Sequence, residues 1–203
     1  MTAYDAHDFK TTVSGAYKII LRAIQARYGL NTEDENFRET PDRCARALEE
    51  ILSGLDNTEK QVTKILSRTF PAPNNLGKSE MLVCGPVHVW SLCPHHLLPV
   101  EMDVWVGYLP NEKYLGLSKL ARLSQVIASA PAMQEETTQR IAWELFDKLN
   151  PLGTGCHIKG KHLCMSMRGA KQSSVFSSTA LFGAFADAHV KQEFLDAVRS
   201  KRG

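Results

Sequence analysis

Two short segments carry the side chains best suited to chemistry. Cys93-Pro94-His95-His96 sets a thiol and two imidazoles within one turn, and His162-Leu163-Cys164 adds a second thiol and imidazole far along the chain. One cysteine and one histidine of the first segment, joined by Cys164, would give three soft or borderline ligands of the kind zinc takes. Three protein ligands leave a fourth tetrahedral position for water, which is the pattern of a catalytic zinc. The competing reading is a structural site closed by His95 or His162. The sequence holds no Cys-x-x-Cys knuckle, and the donors fall at the ends of expected strands on either side of a helical pair, which suits a pocket better than a knuckle. Alternation along a strand would put His162 and Cys164 on one face, so a metal at Cys164 makes His162 a proton-transfer candidate.

A second group of residues could hold an anion and a purine. In Leu115-Gly116-Leu117-Ser118-Lys119-Leu120-Ala121-Arg122 a hydroxyl, an ammonium and a guanidinium stand at an expected helix start, where unpaired backbone N–H groups and the helix dipole already favour negative charge. Lys119 and Arg122, three apart, share a helix face. Arg168 follows Cys164 by one helical turn's spacing and adds a cation near the metal candidate. Gln134-Glu135 opens the next helix, and a carboxylate there can accept paired hydrogen bonds from the N1–H and 2-amino groups of guanine. Each of these has a plain alternative, a solvated helix face for the cations and a first-turn dipole interaction for Glu135.

The elements that must position these residues follow from composition and periodicity. At 203 residues, 43% of them hydrophobic, the chain can bury one sizeable core with an appendage. A formal net charge of +2 supplies no global basic field, so neither nucleic acid nor a membrane surface is expected as a partner. No signal peptide stands in the first residues and no run is long and apolar enough to span a bilayer, which makes the cytoplasm the expected compartment. The five cysteines are an odd number, expected as reduced thiols, with Cys44, Cys84 and Cys156 read as buried structural ones.

Helical spacing from Val13 to Tyr28, stopped at Gly29, predicts a first helix; Thr40 as cap and Pro41 at the first position predict a second, ending near Gly54. A stretch rich in Pro, Asn and Gly over 70–77 then divides a helical arm, 1–69, from a main domain, 70–203. In the main domain, strands are expected at 81–92 and 100–109, helices at 118–128 and 134–150, strands at 157–167 and 175–185, and a closing helix from Asp187. The class is α+β, without internal repeats.

Taken together, these residues resemble GTP cyclohydrolase I over most of the chain, from Glu39-Thr40-Pro41-x-Arg43 to Glu193-Phe194-Leu195. The most specific stretches are Cys93-x-His95-His96, Gly107-Tyr108-Leu109-Pro110, the run from Leu115 to Arg122, Gln134-Glu135, and His162-x-Cys164-Met165-x-Met167-Arg168-Gly169. The resemblance implies a tunnelling fold, in which the sheets of several subunits form a barrel, usually in a decamer, with active sites at subunit interfaces. It implies Zn2+ held by Cys93, His96 and Cys164, with His95 and His162 handling protons. Gln134 and Glu135 would anchor guanine, and Ser118, Lys119, Arg122 and Arg168, with Arg43 from the helical arm, would surround the triphosphate. The activity implied is zinc-dependent hydrolysis of the guanine ring of GTP at C8, with release of formate and formation of 7,8-dihydroneopterin triphosphate.

Departures from the family pattern fall near that pocket. Pro94 stands where a Glu is usual, and Glu136 where an Arg is usual; Ala128-Ser129-Ala130 replaces a stretch that commonly carries a base. The loop after Arg168-Gly169 is about one residue shorter, ending in Ser177-Ser178-Thr179. Weaker phosphate contacts are therefore expected. Two other readings follow from the same residues, a zinc enzyme of the same fold acting on another purine or pterin, and a catalytically silent, zinc-stabilised oligomer that binds a nucleotide.

Overall fold

The structure, a computed structural model, describes residues 9–71 and 80–200. It divides into two compact units, 1–53 and 54–203. The break lies earlier than the expected boundary at 69/70, and most of the Pro-, Asn- and Gly-rich stretch that motivated it lies outside the described residues.

The first unit holds α1 (Phe9–Tyr28), α2 (Glu35–Arg38) and α3 (Thr40–Leu52). α1 ends where expected: Gly29 takes the left-handed conformation, φ 71°, and its N–H closes on Gln25 O at 2.9 Å. Pro41 occupies the first turn of α3, where its missing N–H costs nothing. α1 packs on α3, and Ser14 Oγ donates to Asp42 Oδ1 at 2.6 Å between them.

The second unit begins with α4 (Thr58–Leu66), which apolar spacing did not predict, followed by the short β1 (Thr69–Pro71), then β2 (Leu82–Leu92), β3 (Pro99–Leu109) and β4 (Lys113–Leu115). Next come α5 (Leu117–Ala128), α6 (Gln134–Leu149), β5 (Gly153–His162), the single turn α7 (Leu163–Ser166), β6 (Val175–Gly183) and α8 (Ala188–Ser200). β2, β3, β5 and β6 form one antiparallel sheet in the order β2-β3-β5-β6, and β1 pairs with β4 apart from it. The class is α+β, as expected.

The sheet positions the site through its two faces. Val100, Met102, Val104, Val106 and Tyr108 of β3, with Cys156 and Ile158 of β5, alternate onto one face and join Val62 of α4, Leu123 and Ile127 of α5, and Ile141 and Leu145 of α6 in the main core. Removing one such side chain, as in Ile141→Ala, costs about 2–5 kcal/mol through lost burial and the cavity left behind. α4 lacks a place in the predicted order, yet Val62, Ile65 and Leu66 are buried, and Glu59 ion-pairs with Arg140 of α6 at 2.7 Å. On the other face Trp105 and Leu109 meet Phe185, and Phe194 and Val198 of α8. The rest of that face carries cross-strand polar pairs, His88 with Asp103 at 2.5 Å and Lys161 with Glu101 at 3.8 Å.

The expected strand at 157–167 is shifted. β5 starts at Gly153, opposite Leu109, so it matches the full length of β3, and it stops at His162. Leu163, Met165 and Met167 imitate strand alternation, but Met167 N–H bonds to Leu163 O at 3.0 Å and closes a helical turn. Cys164 is therefore on α7 rather than on the strand, so strand alternation is not what relates it to His162. Of the remaining cysteines, Cys156 is fully buried, which pushes its thiol well above the ordinary range, while Cys44 and Cys84 are half-buried.

Candidate metal centre and adjoining pocket

The first motif sits in the hairpin loop between β2 and β3. Leu92 pairs with Pro99, Cys93 N–H donates to Leu98 O at 2.9 Å, and the N–H groups of His96 and Leu97 both return to Cys93 O, at 3.3 and 2.8 Å. That turn brings both imidazoles over the Cys93 thiol, and Leu97, with a left-handed φ of 52°, then directs the chain back into β3. Cys93 is buried and its Sγ lies 3.7 Å from His96 Nδ1 and 3.9 Å from His95 Nδ1.

α7 brings Cys164 to the same point. Among the described residues the donor atoms of Cys93, His96 and Cys164 lie within 4.8 Å of one another, a group able to hold a metal ion. Ligand atoms around a tetrahedral zinc stand roughly 3.3–3.8 Å apart, from bonds of about 2.0–2.3 Å, so the residues fit the ion after small side-chain adjustments. The Cys164 thiol is pushed up, first by burial and then by its hydrogen bond and charge interaction with Cys93, with the Arg168 guanidinium pulling in the opposite direction. A metal ion held there would take both cysteines as thiolates, displacing their protons.

A cavity of about 220 Å3 opens beside this group. Its polar wall is His95, Gln134, Glu135 and His162; its apolar wall is Pro94, Ala132, Met133, Met165 and Phe176. His162 is half-buried, and burial lowers its affinity for a proton while the Glu135 carboxylate raises it. Gln134 Oε1 stands 3.0 Å from His162 Nε2, and the Phe176 ring meets the imidazole edge-on at 5.6 Å. Arg168, exposed, donates from Nη1 to His96 Nε2 at 3.0 Å.

Not every expected site residue gathers here. Ser118, Lys119 and Arg122 belong to the first half of α5 and are absent from the cavity wall. The far end of α5 faces the pocket region, where Ser91 Oγ, just before Cys93, donates to Ala130 O at 3.1 Å. The start of the helix lies roughly 18 Å back, at about 1.5 Å of rise per residue. Arg43 belongs to the other compact unit, ion-paired with Glu39 at 2.9 Å. Glu136 is turned away from the role its position suggested: its Oε2 accepts from Met133 N–H at 3.3 Å, and it does not line the cavity. Phe176, Met133 and Met165 escaped sequence reasoning as pocket residues; for Phe176 the available signal was an aromatic ring placed directly before the hydroxyl run Ser177-Ser178-Thr179.

Comparison with known proteins bears on the chain as a whole. The family model for GTP cyclohydrolase I matches residues 15–199. The chain is 38% identical over 196 residues to GTP cyclohydrolase 1 of Caldanaerobacter subterraneus subsp. tengcongensis, covering 95% of this chain and 98% of that one. It is 37% identical over 196 residues to GTP cyclohydrolase 1 of Thermoanaerobacter pseudethanolicus, with the same coverage of 95% and 98%. For GTP cyclohydrolase 1 of Acetivibrio thermocellus the identity is 35% over 187 residues, 91% of this chain and 96% of the relative. A likeness that runs at this identity from the first helix to the last makes the chain a member of the GTP cyclohydrolase I family, and with it a hydrolase.

Proposed function

We propose that this chain hydrolyses the guanine ring of GTP, releasing formate and giving 7,8-dihydroneopterin triphosphate, with a zinc ion held by Cys93, His96 and Cys164. The observation that carries the reading is the convergence of those three donors, within 4.8 Å, on the rim of a cavity that also holds His95, His162 and Glu135. A zinc ion in that position supplies Lewis acidity and brings the ionisation of a bound water into the neutral range.

The chain's own residues account for the rest. The Glu135 carboxylate accepts from the N1–H and 2-amino groups of guanine, a pairing that adenine cannot offer, and so selects the base. The flat apolar wall with Phe176 receives the ring and keeps bulk water from it. His162, with its proton affinity lowered by burial, is neutral near pH 7, so it can accept a proton as water adds at C8 and return it to nitrogen as the C8–N bond breaks. His95, exposed at the mouth of the cavity, exchanges protons with solvent.

The triphosphate needs cations that one chain's cavity lacks. Ser118, Lys119 and Arg122, which do not line their own chain's cavity, would serve the pocket of a neighbouring copy, in keeping with a homo-oligomer of the decameric, barrel-forming kind and with active sites shared at interfaces. β2 and β6 are the outer strands of the sheet, whose edges suit such assembly. Arg168 contributes from the metal side. The test is incubation of zinc-loaded protein with GTP, following formate and the near-ultraviolet absorbance of a dihydropterin. Equal amounts of both are expected, whereas a ring-opened purine without formate would limit the activity to the first hydrolysis.

A further inference from the structure

We infer that Gln134 is a positioning residue that locks His162 in one tautomer and one orientation, and that Gly160 is glycine because the Gln134 amide occupies the space of its side chain. The lock stands on geometry alone, and only its kinetic consequence rests on the proposed hydrolysis.

The donors and acceptors around the amide leave one arrangement. Gln134, the first residue of α6, is 5% exposed. Its Nε2 lies 3.2 Å from Phe176 O, 3.3 Å from Ile158 O and 3.0 Å from Ser178 Oγ. The two carbonyls can only accept, so the amino side of the amide must face them and the oxygen must face the other way. That oxygen, also only an acceptor, lies 3.0 Å from His162 Nε2. The histidine must therefore donate from Nε2, and in its neutral form Nδ1 is left as the basic nitrogen.

The lock is itself held. Thr138 Oγ1 lies 2.7 Å from Gln134 O, a pure acceptor, and 2.6 Å from Ser178 Oγ. Thr138 thus spends its proton on the carbonyl, Ser178 donates to Thr138, and the Ser178 lone pairs remain to accept the Gln134 amide. The two amide protons of Gln134 are shared among three acceptors, yet each member keeps a fixed role as donor or acceptor, which is what makes a buried polar network specify a single arrangement.

Gly160 completes it. It lies on β5 two residues before His162, on the same face, opposite Phe176 of β6. A Cβ there would stand 2.2 Å from Gln134 Oε1, a clash, and 3.5 Å from His162 Nε2. Any side chain at 160 would push the amide off the imidazole.

The experiment combines magic-angle-spinning 15N NMR of histidine-labelled, zinc-loaded protein with steady-state kinetics on GTP. The His162 signals are identified by their loss in His162→Gln. In the native protein they should report a protonated Nε2 and a bare Nδ1. In Gln134→Ala and in Gly160→Ala they should shift or broaden toward mixed tautomers, with zinc content unchanged. Ser178→Ala should do the same more weakly, and Ser178→Thr, which keeps the hydroxyl, should restore the native pattern. Gln134→Ala and Gly160→Ala should each lower kcat about 10–100-fold, the range usual for loss of an orienting partner, with the double variant no worse than either. If the His162 signals are identical in native protein, Gln134→Ala and Gly160→Ala, the inference is overturned whatever the kinetics show. Should the signals move as stated while native protein does not turn over GTP, the lock stands and the hydrolysis reading falls.

Discussion

The Glu136 carboxylate reaches back over the first turn of α6 to the backbone N–H of Met133, 3.3 Å from its nitrogen. This is one half of a capping box, and Met133 has no side-chain oxygen to supply the other half. The charge that the sequence set among the expected phosphate contacts thus serves the helix end. Glu136→Ala should lower the melting temperature by an amount equivalent to about 0.5–1 kcal/mol, Glu136→Gln should recover most of it, and neither should change GTP affinity across a range of salt concentrations. A salt-dependent gain in affinity on removing this carboxylate would show that the phosphates feel it after all.

Purified protein should carry close to one zinc per chain. Cys164→Ala should lose metal and activity together, because only two donors remain, whereas His162→Ala should keep the metal and lose turnover. Metal analysis beside formate assays separates the two variants. Equal zinc loss in both would make His162 a fourth ligand and the site structural.

The legible part of the sequence is local. Cys93, His95 and His96 could be read because a thiol and two imidazoles in one turn suit a metal or a proton relay and little else, and the strands and helices around them because their apolar periods are clean. α4 escaped because its buried set, Val62, Ile65 and Leu66, covers barely more than one turn among Glu and Lys. Cys164 reads as a strand residue because Leu163, Met165 and Met167 alternate, a pattern that a helical turn lying across a sheet end reproduces. Gln134 enters the expected guanine site only through the family resemblance; its partners, Ile158, Phe176, Ser178 and His162, are remote in sequence, and only the fold shows its amide engaged with them.

If Lys119 and Cys164 serve one active site from different chains, complementation follows. Lys119→Ala and Cys164→Ala proteins should each be nearly inactive, and mixing them after reversible dissociation should restore up to about a quarter of native activity, the share of interfaces that draw an intact half from each chain. Failure of mixed oligomers, verified by mass spectrometry, to regain activity would return both residues to a single-chain site or remove Lys119 from it.

His157 gives a pH signature independent of the metal. It is 8% exposed, its Nδ1 lies 2.8 Å from Thr179 Oγ1, and its proton affinity is lowered first by burial and then by the nearby Lys159 charge. A folded-state value below the ordinary 6.5 means the unfolded chain takes up the proton first as pH falls. Its contribution to stability is therefore complete above about pH 6.5 and is lost as the pH drops through the folded value. Urea midpoints should fall over this window, and the fall should be shallower in His157→Gln; parallel curves would mean that His157 titrates alike in both states.

The most direct measurement follows the reacting carbon itself. Zinc-loaded protein given GTP labelled with 13C at C8 should transfer the label into formate, with the unlabelled remainder appearing as a dihydropterin triphosphate, and Cys164→Ala should leave the label in GTP. Label that stays in the purine with native, zinc-loaded protein, or formate production that persists undiminished in Cys164→Ala, would contradict the account.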